Sequence, residues 1–137
     1  MGKNILAGIV GVVLAGSIVM IVEMIGHTIY PPPPDLDFSD SEALRAYIGT
    51  LPAMAMLFPV LGWTIGTLGG TLIACRIGTA KPLTFACIVG GLILAGTAFN
   101  LATIPHPLWV AILGVVGIVA GAWFGMKLGT RSSEAAE

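Results

Sequence analysis

The stretch PLTFACIVGGLILAGTAFNLATIPHPLWVAILGVVGIVAGAWFGM, residues 82–126, contains no Asp, Glu, Lys or Arg. A helix crosses the roughly 30 Å hydrocarbon layer with about 20 apolar residues. The stretch is therefore long enough for two crossings, and its one break is the corner Ile104-Pro105-His106. It reads as spans 83–103 and 107–126 joined by a tight turn. Working outward, residues 52–75 and 5–29 pass the same length test, which predicts an all-α, four-helix transmembrane bundle. Residues 1–130 form a single four-span domain, with an outer loop at 30–51 and a tail at 131–137. A composition of 56% hydrophobic and only 9% charged residues, with a mean hydropathy of +0.98, excludes an ordinary soluble domain.

The basic residues orient the bundle, because Lys and Arg near span ends stay on the cytoplasmic side. With the N-terminus inside, Lys3, Arg76, Lys81, Lys127 and Arg131 fall on one side, and Arg45 alone falls on the other among Asp35, Asp37, Asp40 and Glu42. Both termini are expected in the cytoplasm. The first span is too long for a signal-peptide core and lacks a small-x-small cleavage site, so it is expected to stay attached. Cys75 and Cys87 both map to the cytoplasmic half and read as small packing residues.

Two patterns organise the spans. Gly11-Val12-Val13-Leu14-Ala15-Gly16-Ser17 in the first resembles Gly91-Leu92-Ile93-Leu94-Ala95-Gly96-Thr97 in the third. A shift of 55 places Gly62, Gly66 and Gly70 on Gly117, Gly121 and Gly125, so the chain reads as two similar helical hairpins. At four-residue spacing each glycine set forms one stripe, a glycine zipper that lets helix backbones approach closely. The expectation is packing within the bundle or between copies, making the protein a self-associating homo-oligomer or a subunit of a larger membrane complex. Thr64, Thr67 and Thr71 adjoin the stripe, with hydroxyls expected to bond back to their own helix. Pro59 removes a donor and leaves the Ala55 carbonyl without its usual partner. Tyr30, Trp109 and Trp123 read as interfacial anchors, and Trp63 as a filler near mid-membrane.

The outer loop opens with Pro31-Pro32-Pro33-Pro34, a stiff extended arm. Ser39-Asp40-Ser41-Glu42 offers a capping box from Ser39 to Glu42, leading into a short helix over 40–48. Leu44, Tyr47 and Ile48 would share a face laid on the outer membrane surface.

Glu23 is the one Asp, Glu, Lys or Arg in residues 4–34. An ionisable group inside a span costs about 2.5–3.5 kcal/mol on insertion scales, so it asks for a function or a partner. His27 lies one turn further on the same face. Asn100 comes out at nearly the height of Glu23, His106 just above, and Asp35 and Asp37 are expected to hang over them. The group supports several readings. These are a satisfied structural network, a proton or cation path entering from outside, a metal site of Glu23, His27 and His106, and a haem held between His27 and His106. No cofactor or nucleic-acid partner is otherwise implied, and the partner that is certain to be needed is the lipid bilayer. No Ser-His-Asp grouping, CxxC, phosphate loop or paired intramembrane carboxylates support an enzyme.

The segment Glu23-Met24-Ile25-Gly26-His27-Thr28-Ile29-Tyr30-Pro31-Pro32-Pro33, followed by the Asp-rich loop and Leu51-Pro52, resembles small four-span bacterial membrane proteins of uncharacterised function. The resemblance covers about residues 20–75. It implies a bacterial inner-membrane location and a single unit of Glu23, His27 and the prolines, and it implies no activity.

Overall fold

A computed structural model describes residues 1–134, with side-chain surroundings through Thr130. The described chain is helical and runs α1 (Gly2–Ile29), α2 (Ser41–Thr50), α3 (Ala53–Ile77), α4 (Pro82–Thr103) and α5 (Leu108–Glu134). Four of these, Gly2–Ile29, Ala53–Ile77, Pro82–Thr103 and Leu108–Thr130, are long and apolar enough to cross a membrane. The chain is a multi-pass integral membrane protein. The Arg131 side chain and residues 135–137 of the expected tail lie outside the described residues, while the backbone of 131–134 continues α5.

Proline punctuates the helices. Pro31 follows Tyr30, whose φ of −124° and ψ of 71° end α1, because a residue before proline is pushed out of the helical region. Pro52 precedes α3, and Pro82 occupies the first turn of α4, where its missing N–H costs nothing. Asn4 fastens the start of α1 to the α3–α4 connection: its Oδ1 accepts from the Thr79 and Ala80 amides at 2.7 and 3.0 Å and from the Thr79 hydroxyl at 3.2 Å. Lys3, Arg76, Lys81 and Lys127 belong to this same end of the bundle, and Lys127 Nζ lies 4.3 Å from the centre of the Trp123 ring.

α3 is the central helix. One of its faces meets α1 and another meets α5, while α4 packs more lightly against all three. The glycines explain this arrangement. Gly66 lies so close to α1 that an added Cβ would come within 2.7 Å of the Ala15 carbonyl oxygen, and Gly70 similarly faces Gly11 and Ala15. Gly62 touches Val19 and Val22. The second stripe turns to the opposite side of α3: Gly117 and Gly121 face Thr64, and Gly125 faces Leu68 and Thr71. Matching stripes thus meet different neighbours, α1 for the first and α3 for the second. Both are filled inside one chain, so neither glycine stripe is left open for a second copy.

The outer loop departs from expectation at its cap. Asp40, not Ser39, begins α2, and its carboxylate accepts from the amides of Glu42 at 2.9 Å and Ala43 at 3.2 Å. Ser39 instead donates its hydroxyl to Asp37 at 2.6 Å. Aspartate is as good an N-cap as serine and already carries the charge that the helix dipole favours. The apolar face of α2 also finds protein. Leu44 and Ile48 are buried in one cluster with Met56, Val60, Trp63, Val110 and Ile118, so α2 roofs the end of the bundle opposite Lys3, Arg76, Lys81 and Lys127.

Candidate functional site

Beneath that roof is a half-open pocket of about 150 Å³. It forms because three elements leave a gap at this end. α1 ends at Tyr30 before the proline arm, α3 begins after Pro52, and the α4–α5 corner turns at 104–107. Glu23 and His27 line it from α1, Asn100 from α4 and His106 from the corner. All four polar residues anticipated from helical spacing face one cavity. Asp35 and Asp37 are not among its lining residues. Asp37 is turned to its own loop, where the Ser39 hydroxyl and amide hold its carboxyl below the usual carboxylate range.

The remaining wall is mostly apolar and aromatic. Tyr30, Phe38, Tyr47 and Phe58 supply rings, with Tyr30 and Phe58 edge to face at 6.3 Å. Phe38 and Phe58 were missed by sequence reasoning. The signal for Phe58 was Gly26, where an added Cβ would lie 2.8 Å from the ring, so glycine is what admits it to the wall. Ala55 and Pro59 also line the pocket, which puts the carbonyl that Pro59 deprives of a donor at this level.

Hydrogen bonds fix how the histidines present themselves. His27 Nδ1 lies 2.9 Å from the backbone oxygen of Glu23, and His106 Nδ1 lies 2.9 Å from that of Ile104. A carbonyl oxygen can only accept, so each Nδ1 carries a proton. Asn100 Oδ1 is buried without a hydrogen-bond partner. No side-chain hydrogen bond reaches the Glu23 carboxylate among the described residues, and Glu23 is only partly buried. Among the described residues the Glu23 carboxylate is thus hydrogen-bonded to neither Asn100 nor His27.

The floor is closed. Inward of Pro59 along α3 lie Val60 and Trp63, and inward of Asn100 along α4 lies Thr97, all buried. Trp63 stands edge to face with His106 at 6.4 Å. These buried residues separate the pocket from the basic end of the bundle.

Two of the anticipated chemistries do not fit. Among the described residues no three of His, Cys, Asp and Glu are grouped to share an ion, so Glu23, His27 and His106 line one cavity without forming a metal-ligand set. A cavity of about 150 Å³ holds a benzene-sized molecule, which leaves no room for a porphyrin between His27 and His106.

Burial lowers the pKa of His106 below the ordinary imidazole value, with the hydrogen bond to Ile104 partly opposing. A depressed folded-state pKa means that the unfolded chain binds the proton more readily. The stability this contributes is complete above pH about 6.5 and is lost as pH falls through the lowered value. Thermal unfolding in detergent should lose midpoint in that acid window, and His106→Gln should flatten the loss. An unchanged acid slope in the variant would assign it to another group.

Set against protein-family models, curated proteins and solved structures, the chain matches none of them. The reading of the site rests on its geometry.

Proposed function

We propose that this integral membrane protein captures a small positively charged solute, the proton included, from the outer side of a bacterial inner membrane, with Glu23 as the anionic group. The observation that carries the reading is an intramembrane carboxyl group with no hydrogen-bond partner among the described residues, lining a half-open pocket with buried Val60, Trp63 and Thr97 on the side toward the basic end of the bundle. A carboxylate in that position is costly unless something compensates it, and among the described residues no Lys or Arg lines the pocket. The orientation follows from Lys3, Arg76, Lys81 and Lys127 at the opposite end, which the positive-inside bias places in the cytoplasm. Self-association and service as an accessory subunit form the competing reading. It loses the support it drew from Gly62, Gly66, Gly70, Gly117, Gly121 and Gly125, because those glycines are occupied within one chain.

The test is Glu23→Gln, which keeps shape and removes charge. In nanodiscs, the emission of Trp63, next to His106 and isolated by Trp109→Phe and Trp123→Phe, should respond to pH and to added cations when Glu23 is present. In the variant that response should fall at least tenfold while particle size stays the same. A variant that responds like its parent, or one that loses assembly because the parent needs Glu23 to associate, defeats the proposal.

A further inference from the structure

The wall of the pocket says what kind of cation it suits, and the argument rests on the reading of Glu23 as the anionic group of an outward site. Its polar acceptors are the Glu23 carboxylate and the unpartnered Asn100 Oδ1. The donors on the wall, the Tyr30 and Tyr47 hydroxyls and the Asn100 amide nitrogen, carry no charge. A ligand that donates several hydrogen bonds and bears positive charge satisfies these acceptors together. An inorganic ion does not, since the acceptors are not grouped as a ligand set and most of the surrounding wall is apolar and aromatic. An ammonium group is attracted both to a carboxylate and to the faces of aromatic rings, and a volume of about 150 Å³ leaves room for a benzene-sized apolar body.

We infer that the pocket beneath α2 binds a primary organic amine in its ammonium form, with Glu23 and Asn100 receiving the N–H donors and the rings of Tyr30, Phe38, Tyr47 and Phe58 enclosing the apolar body. The amine is either a free solute or the headgroup of an amine-bearing lipid, for the chemistry at the acceptors is the same.

The experiment uses the full chain with Trp109→Phe and Trp123→Phe, so that Trp63 alone emits, in nanodiscs free of amine-bearing lipid. Benzylamine is titrated at neutral pH beside its neutral counterpart benzyl alcohol and the anion benzoate. Hydrogen bonds to charged groups contribute about 1.5–3 kcal/mol, so benzylamine should bind about ten- to a hundredfold more tightly than the alcohol, and benzoate should not bind. Glu23→Gln and Asn100→Leu should each remove most of that preference, and Cys87→Ser, distant from the pocket, should not. Equal binding of benzylamine and benzyl alcohol, or a preference that survives both pocket variants, overturns the inference. If sodium, potassium or pH moves Trp63 emission in a Glu23-dependent way while benzylamine does not, the ligand class is wrong and the cation site stands. If neither amine nor inorganic cation acts, both readings fall. Repeating the titration with amine-headgroup lipid in the disc separates the two sources: weaker benzylamine binding identifies a lipid occupant, and unchanged binding a soluble one. Either result supports the amine class.

Discussion

Replacing Gly70 by leucine should break the contact between α1 and α3 and prevent recovery of a monodisperse protein. At Gly70 an added Cβ would overlap the Gly11 backbone oxygen, lie 2.7 Å from the Ala15 Cβ and 3.1 Å from Val89 Cγ1. The obstruction on the α1 side is backbone, which cannot rotate away as the end of a long side chain can. Adding methylenes to a filled core costs about 1–3 kcal/mol, and a whole leucine side chain against helix backbone should exceed that range. The controls are Gly16→Leu and Gly91→Leu, where an added Cβ meets nothing within 4 Å. These should stay within about 0.5 kcal/mol of the parent, the range of surface changes remote from packing. Thermal unfolding in detergent and gel filtration read both. A Gly70→Leu chain as stable as Gly16→Leu would mean that α1 does not lie on α3 at this depth.

Trp63→Ala should be the most damaging truncation of the outer half. The ring is 3% exposed, it lies against Gly114, where an added Cβ would be 2.7 Å away, and it stands edge to face with His106. It shares its cluster with Leu44 and Ile48, the residues by which α2 holds to the bundle. Truncating a buried aromatic to alanine costs about 3–5 kcal/mol. Here the cavity would open directly below the pocket, so amide exchange across α2 should quicken as the unfolding midpoint falls. Trp63→Phe retains part of the contact and should cost visibly less. An alanine variant with unchanged α2 protection would show that the roof is held by something other than this cluster.

The candidate site was legible where helical geometry alone determines height and face. Glu23 and His27 are one turn apart on a single helix, and Asn100 is nearly level with Glu23 when each span is centred in the bilayer, so their convergence on one cavity follows from counting residues. Asp35 and Asp37 could not be placed that way. They sit in an irregular loop whose path depends on local hydrogen bonds, and the Ser39 contacts turn Asp37 away from the cavity. The shift of the N-cap from Ser39 to Asp40 has the same origin, since adjacent residues are equally suited to the role and a one-residue difference in chain path selects between them.

The number, length and apolar character of the spans were determined by the sequence by itself, because the cost of placing charge or unbonded backbone in hydrocarbon leaves few alternatives to a helix. Charge-free residues 82–126 could be little else. Tertiary structure alone decided which glycines matter. Gly11 and Gly16 belong to one motif and are chemically identical, yet Gly11 touches the Gly70 backbone and Gly16 touches nothing within 4 Å. It also decided that α2 turns its apolar face onto protein, and that the two glycine stripes take different partners. An apolar or small face is equally content against lipid or against another helix, so composition cannot choose between them; only the shapes of the assembled helices do.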